Sequence, residues 1–215
     1  RNYGSPKITK QLHAEGIAVS QKTVARIMQE EGIRSKTVKK YKATTNSKHH
    51  LPVYPNLVDQ QFKVEHPGQV WVADITYIWT SEGWLYLATI MELFSRRIIG
   101  WAMSERMTKE LVILALKRAI QTQPPSPGLI HHSDRGSQYA SNEYQQILRD
   151  NKIITSMSRK GNCYDNACIE SFHSVIKKEL IFHEKYKTRE QAKKSIVEYI
   201  VSFYNYKRIH SYTNY

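Results

Sequence analysis

Cysteine is almost missing from this chain. Two residues in 215, Cys163 and Cys168, cannot build a disulfide framework, and their spacing is not that of a Cys-x-x-Cys clamp. A zinc site would have to borrow His131 and His132, and structural zinc normally takes close ligand pairs on both sides, so that reading is weak. No apolar run approaches the roughly 18 to 20 residues that span a bilayer, and no signal-peptide pattern opens the chain. The expectation is an intracellular protein with no membrane partner. Internal repeats are absent too. The chain opens on Arg1 rather than methionine, and is read as a piece of a longer protein.

Acids are also scarce. Nineteen Asp and Glu stand against 32 Lys and Arg, a formal charge of +13, which favours a polyanionic partner. The excess sits at the front: residues 1–50 hold 11 Lys or Arg and three acids (Glu15, Glu30, Glu31), net +8. Charge alone would also suit a ribosomal or membrane-surface protein. What the chain has in quantity is a core, since 40% of its residues are apolar and 14 are tyrosine, which argues against a disordered tract. Its length suits one packed domain, or one domain with a small appendage.

Residues 5–33 read as two short helices joined by a turn. Pro6 suits a first helical position, Gly16 ends the first helix, and Ser20 caps a second whose Val24, Ile27 and Met28 form an apolar stripe that closes at Gly32. In a helix-turn-helix the second helix enters the major groove, which would bring Lys22 and Arg26 to DNA; a plain two-helix hairpin is the alternative. A basic, weakly periodic stretch with Lys36, Lys39, Lys40, Lys42 and Lys48 follows, read as a linker over 35–67.

From residue 70 the signals are those of strands. Val70-Trp-Val-Ala-Asp-Ile-Thr-Tyr-Ile-Trp79, the turn Ser81-Glu-Gly83, residues 84–93 and residues 97–103 predict an antiparallel meander. A helix then runs from Thr108, read as its cap, to Gln123. A strand over 128–132, a helix capped by Ser141 and running to Asp150, and a strand over 153–157 follow, so parallel strands join the meander in one α/β sheet. The last part is helical. Residues 165–180 place Ile169, Phe172, Ile176 and Leu180 at core spacing, and Thr188 with Gln191 makes a capping box for a helix burying Ile196, Tyr199, Ile200 and Phe203.

Three acids fall where this layout reaches one edge of the sheet. Asp74 sits inside an apolar strand, where an ionised carboxylate is costly unless a cation or several hydrogen bonds satisfy it. Asp134 follows the fourth strand and Glu170 lies on a late helix. Taken singly, Asp134 reads as a turn aspartate and Glu170 as a solvated helix residue. Taken together they are specific, with thirty-five residues between Asp134 and Glu170.

At these motifs the chain resembles a known family. Trp71-Val-Ala-Asp-Ile-Thr-Tyr-Ile78, His131-His-Ser-Asp-Arg-Gly-Ser-Gln-Tyr139, Gly161-Asn-Cys-Tyr-Asp-Asn-Ala-Cys-Ile-Glu-Ser-Phe172 and Tyr204-Asn-Tyr-Lys-Arg-Ile-His-Ser211 are similar to the bacterial insertion-sequence transposases with an Asp, Asp, Glu triad, above all the insertion-sequence-three family with its retroviral-integrase-like core. The resemblance implies a ribonuclease-H-like mixed sheet flanked by helices, with a small N-terminal helix-turn-helix domain: 1–34 for DNA binding, 35–67 as linker, 68–215 as catalytic domain. It implies a DNA transposase that cuts element ends and transfers strands, acts as a homo-oligomer on terminal repeats and target DNA, and works in the bacterial cytoplasm at the nucleoid. A nuclease that does not join, and a non-catalytic DNA-binding regulator, are the rival readings.

The implied cofactor is Mg²⁺ or Mn²⁺, two ions with DNA bound, held by Asp74, Asp134 and Glu170, with Asp74 bridging. The residue types agree, because carboxylates at about 4 Å repel by roughly 4 kcal/mol per pair at an effective dielectric near 20, and hard cations with oxygen preference offset that. Lys177, two helical turns after Glu170, matches the family's basic residue near the cut. Asp165 and Asn166 match the pattern before the helix and are expected to orient the site by hydrogen bonding, a helix cap being the alternative. The family's chains normally continue past this one's end, so terminal DNA-binding or multimerising pieces are expected elsewhere.

Overall fold

The computed structural model describes residues 3–33 and 50–209; the lysines of 36–48 and the end of the last motif, His210 and Ser211, lie outside the described residues. One eleven-residue strand sets the plan. Strand β1 (Val70–Thr80) turns through residues 81–82 into β2 (Gly83–Glu92), which pairs with β3 (Ile98–Ser104). After helix α3 (Lys109–Thr122), the chain returns through β4 (Ile130–Ser133), the short helix α4 (Ser137–Ala140), α5 (Asn142–Asp150) and β5 (Ile154–Met157). The sheet order is β3-β2-β1-β4-β5, with β1 antiparallel to β2 and parallel to β4. Helices α6 (Ala167–Glu179) and α7 (Arg189–Glu198) close the fold.

β1 is buried on both faces because its residues alternate between two cores. Val72 and Ile78 pack with Phe172, Ile176, Ile196 and Ile200 from the last helices, whereas Trp71 and Ala73 pack with Leu116 of α3 and Tyr144 and Leu148 of α5. Helices therefore cover both faces, which is why the strands read as continuous apolar runs. α3 lies directly on β3 at Gly100: a Cβ there would stand 2.4 Å from the Ala115 carbonyl oxygen and 2.7 Å from Ala119 Cβ. Among the described residues no helix is long and apolar enough to cross a membrane.

In front, α1 (Ser5–Ala14) and α2 (Gln21–Glu30) form the helix pair, and the Ser20 hydroxyl accepts from Thr23 N as an N-cap. Local details differ from the sequence reading. Thr108 and Ser141 stand at N-cap positions without a side-chain cap bond, and a single 3-10 turn, Cys163–Asn166, precedes α6, so that helix begins two residues later than its pattern indicates. The Thr188–Gln191 capping box is present. Beyond α7 the chain widens into a π-helical turn, Tyr199–Tyr204. The extra residue per turn rotates the buried face, so Tyr204 enters the core where the pattern pointed to Phe203, which stays partly buried.

That turn explains the last motif. The Asn205 amide brackets the edge of β3, accepting from Ile98 N at 2.9 Å and donating to the Ile98 carbonyl at 2.9 Å. Arg208 makes a forked pair with Glu179 at the end of α6, and Tyr199 donates to the same carboxylate. The motif's Asn and Arg are therefore braces that hold α6 against the sheet.

Candidate active site

Strand register brings the first two acids level. β1 and β4 run parallel with Val72 opposite His132, and Asp74 and Asp134 each follow that pair by two residues. Both acids thus stand at the C-terminal end of the parallel pair, beyond which β1 continues paired with β2. The third acid arrives on α6, with Glu170 in its first turn. The start of α6 is tied to β1 beside Asp74, because the buried Asn166 amide donates to the Ala73 carbonyl at 3.0 Å.

Asp165 holds the preceding turn. Its side chain is 0% exposed and receives Arg159 N at 2.8 Å, Arg159 Nε at 3.0 Å, Arg159 Nη2 at 2.7 Å and Gln60 Nε2 at 3.0 Å. The Arg159 guanidinium holds this carboxyl well below the usual carboxylate range. Neither residue caps α6: Asn166 occupies the N-cap position without a side-chain cap bond. The next strand end is equally well bonded, the His132 ring lying between the Ser156 and Ser158 hydroxyls at 2.8 and 3.1 Å, and burial pushes that ring down to about 4.

Burial first, then the charges of Asp74 and Asp134, push the Glu170 carboxyl up to about 7. Asp74 Oδ1 accepts from Ile75 N at 2.8 Å, and Asp74 Oδ2 lies 3.2 Å from His173 Nδ1. Asp134 Oδ1 accepts from Gly136 N at 2.9 Å, so it also makes the turn bond that its sequence context predicts. Among the described residues no three Asp, Glu, His or Cys side chains are gathered tightly enough to enclose an ion. The donor set itself, three oxygen-only carboxylates, fits a hard divalent cation in chemistry. The weak zinc alternative gains nothing, since His131 Nε2 is engaged with the Tyr144 hydroxyl and His132 with two serines.

Residues 64–163 and 151–215 match two family profiles described as integrase core domain, and residues 1–41 match an HTH-like domain. The chain is 46% identical over 214 residues to the transposase of insertion sequence element IS904 of Lactococcus lactis, covering 99% of this chain and 84% of that protein. It is 43% identical over 212 residues to transposase InsF of insertion sequence IS3A of Escherichia coli, covering 99% and 74%. The chain belongs to the IS3 transposase family. Its fold is that of the integrase core: the HTLV-2 integrase catalytic core domain, solved in complex with magnesium, superposes with a TM-score of 0.51 at 17% identity, over 67% of this chain and 91% of that one.

The remaining sequence-derived residues of this transposase are carried by α6 and α2. Lys177 is half-buried on α6, with its ammonium over the Tyr77 ring of β1; burial lowers its pKa and the Asp74 charge raises it. Lys22 and Arg26 are exposed on α2, where Arg26 Nη1 is 2.8 Å from Glu30 Oε1 of its own helix. Both partners of that pair are more than half exposed, so it is worth little and leaves Arg26 available.

Sequence reasoning missed several participants. His173 follows Glu170 by three residues, one turn on the same helix face, which is a readable signal. Thr89, which meets the His173 ring, carries no signal, because it reaches the site through the pairing of β2 with β1. Tyr139 is the third. It is buried, its hydroxyl makes no hydrogen bond, and the charges of Asp74 and Asp134 add to burial in raising its pKa.

Proposed function

We propose that Asp74, Asp134 and Glu170 form one carboxylate centre for Mg²⁺ or Mn²⁺, at which the transposase cuts element ends and joins them to target DNA. The observation that carries this reading is the parallel register that sets Asp74 level with Asp134 at the strand ends, with the start of α6, which carries Glu170, tied to β1 beside Asp74. When bound, such cations supply Lewis-acid chemistry for in-line displacement at phosphorus. In the displacement a hydroxyl, from water or from a DNA 3′ end, forms the new P–O bond and gives up its proton, while the broken P–O bond leaves its electron pair on the departing 3′ oxygen. No covalent bond to the protein is needed.

The chain's own residues do the positioning. Asp74, Asp134 and Glu170 would hold the cations through their carboxylate oxygens, each Asp74 oxygen keeping an acceptor direction beyond its Ile75 or His173 partner. Asp165 and Asn166 hold the start of α6 and with it the height of Glu170 above β1. Lys177, on the same helix, offers a cation to the phosphate of the cut end. Residues 1–34 would read the element ends through Lys22 and Arg26, residues 35–67 would serve as a basic linker, and residues 68–215 would carry catalysis. On this reading the protein works as a homo-oligomer on DNA, in the bacterial cytoplasm at the nucleoid.

A labelled element-end oligonucleotide incubated with the protein and Mg²⁺ should give both nicked and joined products. Glu170→Gln, which keeps shape and removes charge, should abolish both while DNA binding persists. Nicking without joining would favour the plain nuclease, and a variant that still joins would remove Glu170 from the centre. With the same duplex, Arg26→Ala should lose about 1 to 3 kcal/mol of discrimination against random DNA if Arg26 reads a base edge. A uniform loss would assign it to phosphate.

A further inference from the structure

We propose that His173 is a positioning residue that fixes the orientation of Asp74 through a line of hydrogen bonds that begins at Thr89, an inference that rests on the carboxylate-centre reading above. The His173 side chain is 7% exposed. Its Nδ1 lies 3.2 Å from Asp74 Oδ2 and its Nε2 lies 2.8 Å from Thr89 Oγ1. Thr89 is the register partner of Asp74 across β1 and β2, and its hydroxyl is 3.5 Å from the Asp74 carbonyl oxygen. The hydroxyl has one hydrogen for these two acceptors, and the shorter contact takes it, so the bonds run in line from Thr89 through His173 to the Asp74 carboxylate.

The partners assign the hydrogens. An ionised carboxylate can only accept, so Nδ1 carries the hydrogen, and in the neutral ring Nε2 accepts from the Thr89 hydroxyl. The ring cannot reverse these roles without losing the carboxylate bond. On its other oxygen Asp74 receives Ile75 N from its own strand, so the carboxylate plane is held from two sides.

The arrangement couples two acids of the centre. His173 and Glu170 stand one turn apart on α6, so the helix that delivers Glu170 also grips Asp74. A hydrogen bond to a ligating side chain typically changes metal affinity by about 10- to 100-fold when removed. Phe172, the neighbour of His173, is core, whereas the His173 ring makes polar contacts to Asp74 and Thr89.

The test compares His173→Phe, which keeps an aromatic ring and removes the donor, His173→Asn, whose amide nitrogen can replace Nδ1, and Thr89→Val. Mn²⁺ alone is titrated into the full chain without DNA and followed by thermal shift and electron paramagnetic resonance, with DNA binding measured separately. His173→Phe should need at least about tenfold more Mn²⁺ with unchanged DNA affinity, His173→Asn should recover most of the loss, and Thr89→Val should fall between. Wild-type Mn²⁺ affinity in His173→Phe, or equal loss in the Phe and Asn variants, would overturn the role. If His173→Phe does not fold, Thr89→Val decides, a weakened Mn²⁺ response supporting the inference and an unchanged one overturning it. Asp74→Asn is run beside them. A wild-type Mn²⁺ response there would sink the carboxylate centre itself, whereas loss of response in Asp74→Asn with an unaltered His173→Phe would sink the His173 role alone.

Discussion

The ammonium of Lys177 lies 4.6 Å from the centroid of the Tyr77 ring. A lysine on α6 and a tyrosine on β1 thereby meet beside Asp74, and the aromatic chain continues outward, since Tyr77 stands edge-on to Trp84 at 5.0 Å and Trp84 edge-on to Trp79 at 4.8 Å. The ring face steadies the cation without neutralising it, as a carboxylate partner would.

Lys177→Ala is expected to lower the slope of log K against log salt for element-end DNA by about 0.9, the loss of one phosphate contact. Tyr77→Leu should reduce stability by about 0.5 to 2 kcal/mol and leave the slope nearly unchanged, because it removes the cation–π contact and not the charge. Salt titrations of DNA binding check both. An unaltered slope in Lys177→Ala would leave the lysine with a packing role only.

The elevated Glu170 carboxyl predicts a pH dependence of the metal-free chain. Its ordinary value is 4.5 and burial with the two aspartate charges pushes it up to about 7, so across that window the folded state holds a proton that the unfolded state has released. Stability from this group therefore falls as pH rises from about 4.5 to 7. Glu170→Gln should melt like wild type near pH 4 and above it at pH 8 without metal. Solvent screening at a half-exposed carboxyl will reduce the difference. Thermal melts over this range measure it, and parallel profiles would show that the three acids do not share a field.

The Arg159–Asp165 pair predicts a structural cost at the start of α6. Arg159→Ala leaves the Asp165 carboxylate with Gln60 and one backbone amide, and should lower stability, by less than for a pair buried on both sides because Arg159 is itself half exposed. Arg159→Lys should recover part of this, lacking the fork. The depressed Asp165 carboxyl contributes stability above the ordinary carboxylate range that is lost as pH falls through and below it, so the variant should also show a shallower acid transition. Urea unfolding at pH 7 and pH 3 tests both statements. A loss near zero at pH 7 would mean that Gln60 and the backbone satisfy Asp165 alone.

The sequence by itself determined the elements and the chemistry of the acids. Side-chain period marks which face of β1, α6 or α7 is buried, and caps such as Ser20 and Thr188 act within four residues, so both are local and readable. Asp74 was legible for the same reason, as a charge at an apolar position. Tertiary structure decided what distant segments do to one another. The parallel register of Val72 with His132 sets Asp74 level with Asp134, the pairing of Asp74 with Thr89 supplies the far partner of His173, and a π-helical turn moves Tyr204 into the core in place of Phe203. These depend on strand order and on helix seating against a packed sheet, where the free energy is shared among contacts far apart in sequence and no local pattern records it.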